Sequence, residues 1–268
     1  MKKIKKTLSA FAMIAKNPWL LNKIVDDNSE WQKRVTQDFG MPAGFPMITL
    51  DELFNGFSVK LNSFSFSGGG SLPTDIALLK LLSQKKTDTS YFEIGTWRGE
   101  SVLNVAESAK ECYTLNLSPE EIIQFSGSEK YADAHFFFSK DLSNVTQLYG
   151  DSKTFDFKGL DKKFDLIFID GNHHHDYIKS DSENVFRHLM KEDSIVVWHD
   201  YAYNPESLRY ETMHAILEGV PKELHQHLYF VANTMCAIFI RGNFSSKTFE
   251  LHADPETIFE ISMQSKSI

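Results

Sequence analysis

The sequence predicts an α/β chain, with a mostly parallel sheet covered on both faces by helices and preceded by a helical extension. Three observations lead there. Between Tyr91 and Ile240, short apolar runs of strand character alternate with longer stretches of helical period. Tyr91 to Ser101 reads as a buried strand, a tight glycine-bearing loop and a helix beginning near Gly99. Polar residues follow nearly every expected strand, at the carboxyl end where doubly wound sheets bind their ligands.

The chain of 268 residues, 42% hydrophobic, suffices for one large domain with a small appendage. A net charge of -8 without a basic patch beyond the N-terminus argues against nucleic acid as a partner. Cys112 and Cys236 fall in expected strands and read as free thiols of a reducing compartment, the cytoplasm. No apolar run reaches the roughly 18 residues a membrane span needs.

Residues 1–72 form the expected extension and lid. Ile4, Leu8, Phe11 and Ala15 share one face of a helix that also carries Lys2, Lys3, Lys5 and Lys6. Such a helix packs on the main domain, packs on a second subunit as in a homodimer, or rests on anionic lipid as a peripheral membrane contact. Asn17-Pro18 ends it, and Leu20 to Phe39 reads as a second helix with Trp31 and Val35 inward. Leu50 to Phe57 is short and helical or irregular. Ser67 to Ser71, with three glycines, is a linker or a lid over the site. Residues 73–241 form the main domain. Its first helix runs from Pro73 through Leu82, capped by Thr74 or Asp75.

Strands are expected at Tyr91–Ile94, Cys112–Leu117, Val145–Tyr149, Phe164–Ile169, Ser194–Trp198, Leu228–Ala232 and Met235–Ile240. Helices are expected at Gly99–Ala109, Pro119–Gln124, Tyr177–Met190 and Pro205–Glu218. The last two strands, joined by Asn233-Thr234, make an antiparallel hairpin at one edge. Residues 242–268 are a tail with a short helix from Asp254 to Met263.

The loop Glu93-Ile94-Gly95-Thr96-Trp97-Arg98-Gly99-Glu100-Ser101 lacks the Gly-x-Gly-x-x-Gly spacing of dinucleotide enzymes. With an acidic residue two before the first glycine and a second glycine four after it, the loop resembles motif I of class I S-adenosylmethionine (SAM) dependent methyltransferases. Ile169-Asp170-Gly171-Asn172-His173 and Trp198-His199-Asp200-Tyr201 resemble motifs of a subgroup acting on hydroxyls of small molecules and sugars, with His175 where the subgroup has Tyr. The resemblance covers Thr74 to Arg241. It implies the Rossmann-like, seven-stranded methyltransferase fold and SAM as cofactor, with a small-molecule acceptor.

It further implies that Glu93, Gly95, Thr96, Gly99 and Ser101 surround the methionine half of SAM. Asn116 stands where the family has an acid for the ribose hydroxyls, and Asp151 and Ser152 stand at the adenine. Asp170 counts on both sides of the site. Asp170 and Asp200 end neighbouring strands, so they need a cation or a shared proton. One solution is a divalent metal, Mg or Mn, on Asp170, His199 and Asp200, which would activate a substrate hydroxyl. The other is general base catalysis by His173 or His199. Of the three consecutive histidines, one is expected in the cleft and two exposed. Asp181 either braces the loop or sits on a solvated face. Arg209 and Tyr210 reach over the pocket or lie on a surface helix. Three readings rival methyl transfer: a metal-dependent, non-methylating enzyme on the same fold, a silent nucleoside-binding scaffold, and a dinucleotide enzyme, which the glycine spacing disfavours.

Overall fold

The structure, a computed structural model, describes residues 2–21, 27–62, 64–68 and 70–267. In chain order its elements are α1 (Lys2–Lys16), a 3-10 turn (Pro18–Leu21), α2 (Asn28–Phe39), β1 (Met47–Ile48), α3 (Leu50–Phe54), α4 (Pro73–Ser83), β2 (Ser90–Ile94), α5 (Glu100–Ala106), β3 (Glu111–Asn116), α6 (Pro119–Ser126) and α7 (Glu129–Ala134). There follow β4 (Val145–Tyr149), β5 (Phe164–Ile169), α8 (His175–Asn184), β6 (Met190–Trp198), β7 (Ala202–Asn204), β8 (Ser207–Leu208), α9 (Tyr210–Gly219), β9 (Leu228–Val231) and β10 (Ala237–Phe239).

The sheet order is β1-β9-β10-β6-β5-β2-β3-β4. Strands β2 to β6 run parallel, and β10 is antiparallel to both β6 and β9. This is the Rossmann-like class I methyltransferase arrangement with one strand more than expected. Met47 and Ile48 of β1 pair with Phe230 and Val231, so the β9–β10 hairpin is not the edge. The tail covers β1 in turn, with mutual bonds between Met47 and Lys247 of 2.7 and 2.9 Å. Backbone groups of β9 that would otherwise template association are thereby paired.

Alternation along the strands divides the core. Phe92, Ile94, Ile167, Ile169 and Trp198 pack with Trp31, Val35, α8 and α9 on one face. Tyr91, Leu166, Phe168 and Val197 pack with Leu78, Leu79, Val102 and Val105 on the other. The order reverses at β2, flanked by β3 and β5, and the crevice beyond their carboxyl ends is where such sheets hold ligands.

Several elements depart from expectation. The region expected as one helix over Leu20–Phe39 is a 3-10 turn and α2, with residues 22–26 outside the described ones. Pro205–Glu218 is not one helix: Asn204 caps a tight turn by accepting from the Glu206 N–H (2.9 Å), β7 and β8 form a small hairpin, and α9 starts only at Tyr210. The expected Tyr177–Met190 helix begins at His175 and passes through a π-helical turn, Val185–Leu189, into a longer β6. Helix α7 was not expected. The tail helix at Asp254–Met263 does not form, since a short isolated segment gains little without a buried face. Helix α1 buries none of its residues, which corrects the expectation that it packs on the domain. No described helix is long and apolar enough to cross a membrane.

Candidate active site

A cleft of about 540 Å³ lies over the carboxyl ends of β2, β3, β4, β5 and β6. Its lining includes Gly95, Asn116, Asp151, Ser152, Asp170, His173, His199 and Asp200. Glu93, Thr96, Gly99 and Ser101 do not line it; they build the loop from beneath.

Gly95 has φ 92°, and a Cβ there would run into the carbonyl of Asp170 and lie 2.8 Å from the Gly171 Cα. The close approach that demands glycine here is therefore that of the β5 turn. The Gly95 N–H donates to Leu115 O (2.9 Å), and the Thr96 N–H to Asn116 Oδ1 (3.3 Å). The Thr96 hydroxyl bonds that of Thr114. Gly99, also left-handed, caps α5 against Ser139.

Glu93 is fully buried. Its Oε2 accepts the Tyr91 hydroxyl (2.5 Å), and Ser101 bonds the same carboxyl. Burial pushes its pKa up to about 8 despite those bonds. Buried beneath the loop, this carboxyl does not reach the cleft, where the resemblance implies that it surrounds the methionine half of SAM. Asn116 spends Oδ1 on Thr96 and Nδ2 on Leu117 O (3.2 Å). Asp151 turns its loop by accepting the Lys153 N–H (3.0 Å). Asp181 is buried next to Ser152, so it is not on a solvated face, and burial raises its pKa to about 7.

The other half of the cleft is charged. His199 Nε2 lies 3.2 Å from Asp75 Oδ2. Its Nδ1 lies 3.2 Å from Asp170 Oδ1 and 3.4 Å from Asp200 Oδ2, aligned with neither. His173 Nδ1 lies 2.7 Å from Asp200 Oδ2. Burial opposes a charge on His199, but the surrounding carboxylates override it and hold the pKa well above the usual histidine range. The bond to Asp200 raises His173 against its burial. Burial would raise Asp200, yet His173 and His199 together hold it well below the carboxylate range. Asp200 also sits in the left-handed region at φ 53°, an unfavourable conformation for a residue with a Cβ.

The residues whose ligand atoms converge, within 4.8 Å of one another, are Asp170, His173 and Asp200. His199, expected in that set, has its Nε2 on Asp75 and stands behind the two carboxylates as their partner. Asp75, expected only as a cap, accepts the N–H groups of Leu72 (2.6 Å) and Met235 (2.8 Å) as well as bonding His199. Nothing local in the sequence signals this, because the contact spans 124 positions.

Of the histidine triplet, His173 lines the cleft. His175 is not exposed as expected but is turned beneath α2, stacked on Trp31 at 4.9 Å. Arg209 donates to the His173 carbonyl (2.8 Å) and so ties down the loop, whereas Tyr210 turns to Pro42 O (2.7 Å). Trp97, Tyr131 and His135 form an aromatic wall that sequence reasoning missed, with Trp97 4.6 Å from His135. The spacing of Tyr131 and His135, four apart on α7 and its end, was the available signal. Gly70 lines the cleft, and Arg98 donates to Gly68 O (3.0 Å); Gly69 of the same run lies outside the described residues.

Residues 92–201, from β2 to just past β6, match the sequence profile of the Methyltransf_24 family, described as a methyltransferase domain. Over that segment the chain is similar to a methyltransferase domain. Among solved structures, the SAH-bound methyltransferase PaMTH1 of Podospora anserina is 19% identical, over 65% of this chain and 80% of that one, with a TM-score of 0.45. The Bacillus cereus O-methyltransferase in complex with SAH is 16% identical, over 65% and 84%, also at 0.45. Against a Bacillus halodurans C-125 protein at 21% identity and a TM-score of 0.36, the match covers 47% of this chain and spans about half, 50%, of the other. No curated protein matches the chain in sequence.

Proposed function

We propose that the protein transfers a methyl group from SAM to a hydroxyl of a small molecule, a sugar or glycan precursor. The observation that carries this reading is the meeting, in one cleft, of the glycine loop and the Asp75–His199–Asp170/Asp200–His173 network. The acceptor oxygen attacks the methyl carbon, the carbon–sulfur bond breaks, and S-adenosylhomocysteine leaves with the electron pair. The hydroxyl proton needs an acceptor. His173 gives its Nδ1 side to Asp200 and keeps Nε2 for that proton, so Asp200 orients the base. His199, buried between Asp75 and Asp170, is a positioning residue. Asp170 also places negative charge near the sulfonium and helps to hold the reactants in register.

A second reading has its own observation, the convergence of Asp170, His173 and Asp200. A magnesium or manganese ion would be held by these three, and when bound it lowers the pKa of a coordinated hydroxyl. Calorimetric titration of SAM and S-adenosylhomocysteine, with magnesium and then with chelator, tests both readings. Micromolar binding of both ligands supports methyl transfer, and an effect of chelator supports the ion. No binding under either condition overturns the assignment in favour of a non-methylating enzyme or a scaffold.

Helix α1 supports a peripheral membrane contact. Ile4, Leu8 and Phe11 are each about two-thirds exposed (66%, 65% and 66%) beside four lysines. The protein is expected to sediment with vesicles containing anionic lipid and to lose that binding at high salt or in Phe11→Glu. Binding unaffected by either change contradicts the assignment.

A further inference from the structure

We propose that His175, His214 and Glu218 form a transition-metal site, most suited to zinc, that clips the N-terminal extension to the methyltransferase domain. The site lies on the far side of α8 from the cleft, where α8, α9 and α2 meet. It does not depend on the chemistry assigned to the cleft.

The argument begins with the imidazoles. His175 Nε2 lies 2.9 Å from His214 Nδ1. The remote nitrogen of each ring faces a carboxylate: His214 Nε2 lies 3.0 Å from Asp38 Oδ2, and His175 Nδ1 lies 3.3 Å from Asp176 Oδ1. A neutral imidazole that donates to those carboxylates turns a lone pair inward. Two lone pairs would then oppose each other, with the Glu218 carboxylate beside them: its Oε2 is 3.3 Å from His175 Nε2 and 3.9 Å from His214 Nδ1. This triangle of donor atoms has room for a cation at its centre. An ion equidistant from the three would sit roughly 2 Å from each, the bond length of zinc to nitrogen and carboxylate oxygen.

The surroundings match those of a metal site. Carboxylates that hold the remote nitrogen of a ligating histidine fix its tautomer and orientation. Trp31 stacks on His175, and Phe39 meets His214 edge-on at 5.3 Å, so the rings cannot swing away. His214 is buried, whereas the Glu218 side chain is about a third exposed (32%), which leaves a route for the ion and room for water as a fourth ligand. Two nitrogens and one oxygen suit zinc and its neighbours better than magnesium. The Lys179 ammonium, 3.2 Å from the same Glu218 oxygen, competes for the carboxylate, and the metal would displace it. Trp31 and Asp38 belong to α2, so filling the site fastens the extension to α8 and α9. His175 is also two residues from His173, so the same clip steadies the loop that carries a cleft residue.

The test uses full-length protein without a histidine tag, stripped by chelator and titrated with Zn²⁺ against a competing chromophoric chelator. Co²⁺ absorption in the visible reports the geometry. Wild type is expected to bind one zinc here, to show tetrahedral-type Co²⁺ bands, and to melt at a higher temperature with zinc than without. His214→Gln should weaken that binding about 100-fold or more, and Asp38→Asn about 10- to 100-fold. Asp170→Asn/Asp200→Asn should leave it unchanged. Zinc affinity equal in wild type and His214→Gln overturns the proposal and leaves a proton as the shared cation. Loss in the Asp170→Asn/Asp200→Asn protein overturns it by moving the metal to the cleft. If His214→Gln does not fold, the partly exposed Glu218→Gln carries the same test, with weaker binding expected and unchanged binding decisive against.

Discussion

The two halves of the cleft hold carboxyl groups in opposite states. Beneath the half proposed for the cofactor, Glu93 and Asp181 are buried, and desolvation raises their pKa values to about 8 and about 7, although Lys153 opposes the rise at Asp181. In the acceptor half Asp200 is also largely enclosed, yet His173 and His199 hold it ionised. The same chemical group is a neutral structural element in one half and a fixed negative charge in the other. On the proposed reading, the cofactor half works through backbone shape and neutral hydrogen bonds, and the acceptor half through charges arranged before any substrate arrives. Mutations in the two halves should separate binding from chemistry.

The largest expected effect is in the acceptor half. Asp200→Asn removes the orienting partner of His173 and one counter-charge of His199. We expect kcat to fall by roughly 10² to 10⁴ while SAM affinity changes little. Steady-state kinetics and calorimetry on one preparation check this. A parallel loss of SAM affinity and kcat would erase the distinction between the halves.

In the cofactor half the matching change is Gly95→Ala. The new methyl meets the Asp170 carbonyl at a left-handed φ, so the loop and the β5 turn must part. A loss of about 2–3 kcal/mol in stability is expected, with SAM binding weakened about 100-fold. Near-normal stability and affinity would show that the loop yields easily and that shape is not what this half supplies.

How much of this division could be read from the sequence depends on the range of the interactions. The parallel core strands and their polar ends were legible because period and strand-end polarity are local. Phe164–Ile169 and Val145–Tyr149 fall where they were expected. Asp170, His173, His199 and Asp200 lie together because adjacent parallel strands bring their carboxyl ends to one place. Asp75, His214 and β1 were not legible as parts of sites or sheet, since each acts across more than a hundred positions on a partner no local pattern names. The Glu93 error has a different cause. It lies in the expected strand, but its side chain follows strand alternation to the Tyr91 face, away from the cleft.

The pH dependence of stability sharpens the contrast. The pKa values of Glu93 and Asp181 lie above ordinary carboxyl values in the folded chain, so folding favours their protonated forms. Their stabilising contribution is complete below about pH 4, where the unfolded chain is also protonated. It is lost as pH rises through about 7 for Asp181 and about 8 for Glu93. Between those limits each group lowers stability by up to about 1.4 kcal/mol per pH unit. Glu93→Gln, which keeps the shape and stays neutral, should flatten denaturant-derived stability between pH 5 and 8 by one group's share. An unchanged slope would mean that Glu93 is ionised in the fold, and the contrast between the halves would fail.

The smallest effect expected lies at Asn116, where this chain has an amide in place of an acid. Its Oδ1 already accepts the Thr96 N–H, and its Nδ2 is held by Leu117 O. Asn116→Asp keeps the first bond, gives up the second, and adds a charge that the ribose hydroxyls can donate to. Charge-assisted hydrogen bonds exceed neutral ones by about 1 kcal/mol, so SAM should bind roughly fivefold more tightly. Part of that gain is offset by the desolvation of the added carboxylate. If SAM binds more weakly to Asn116→Asp, the desolvation cost outweighs the added charge, and the cofactor half is one that excludes charge altogether. Tighter binding would mean that its neutrality at Asn116 follows from this residue alone and is not required by the architecture around it.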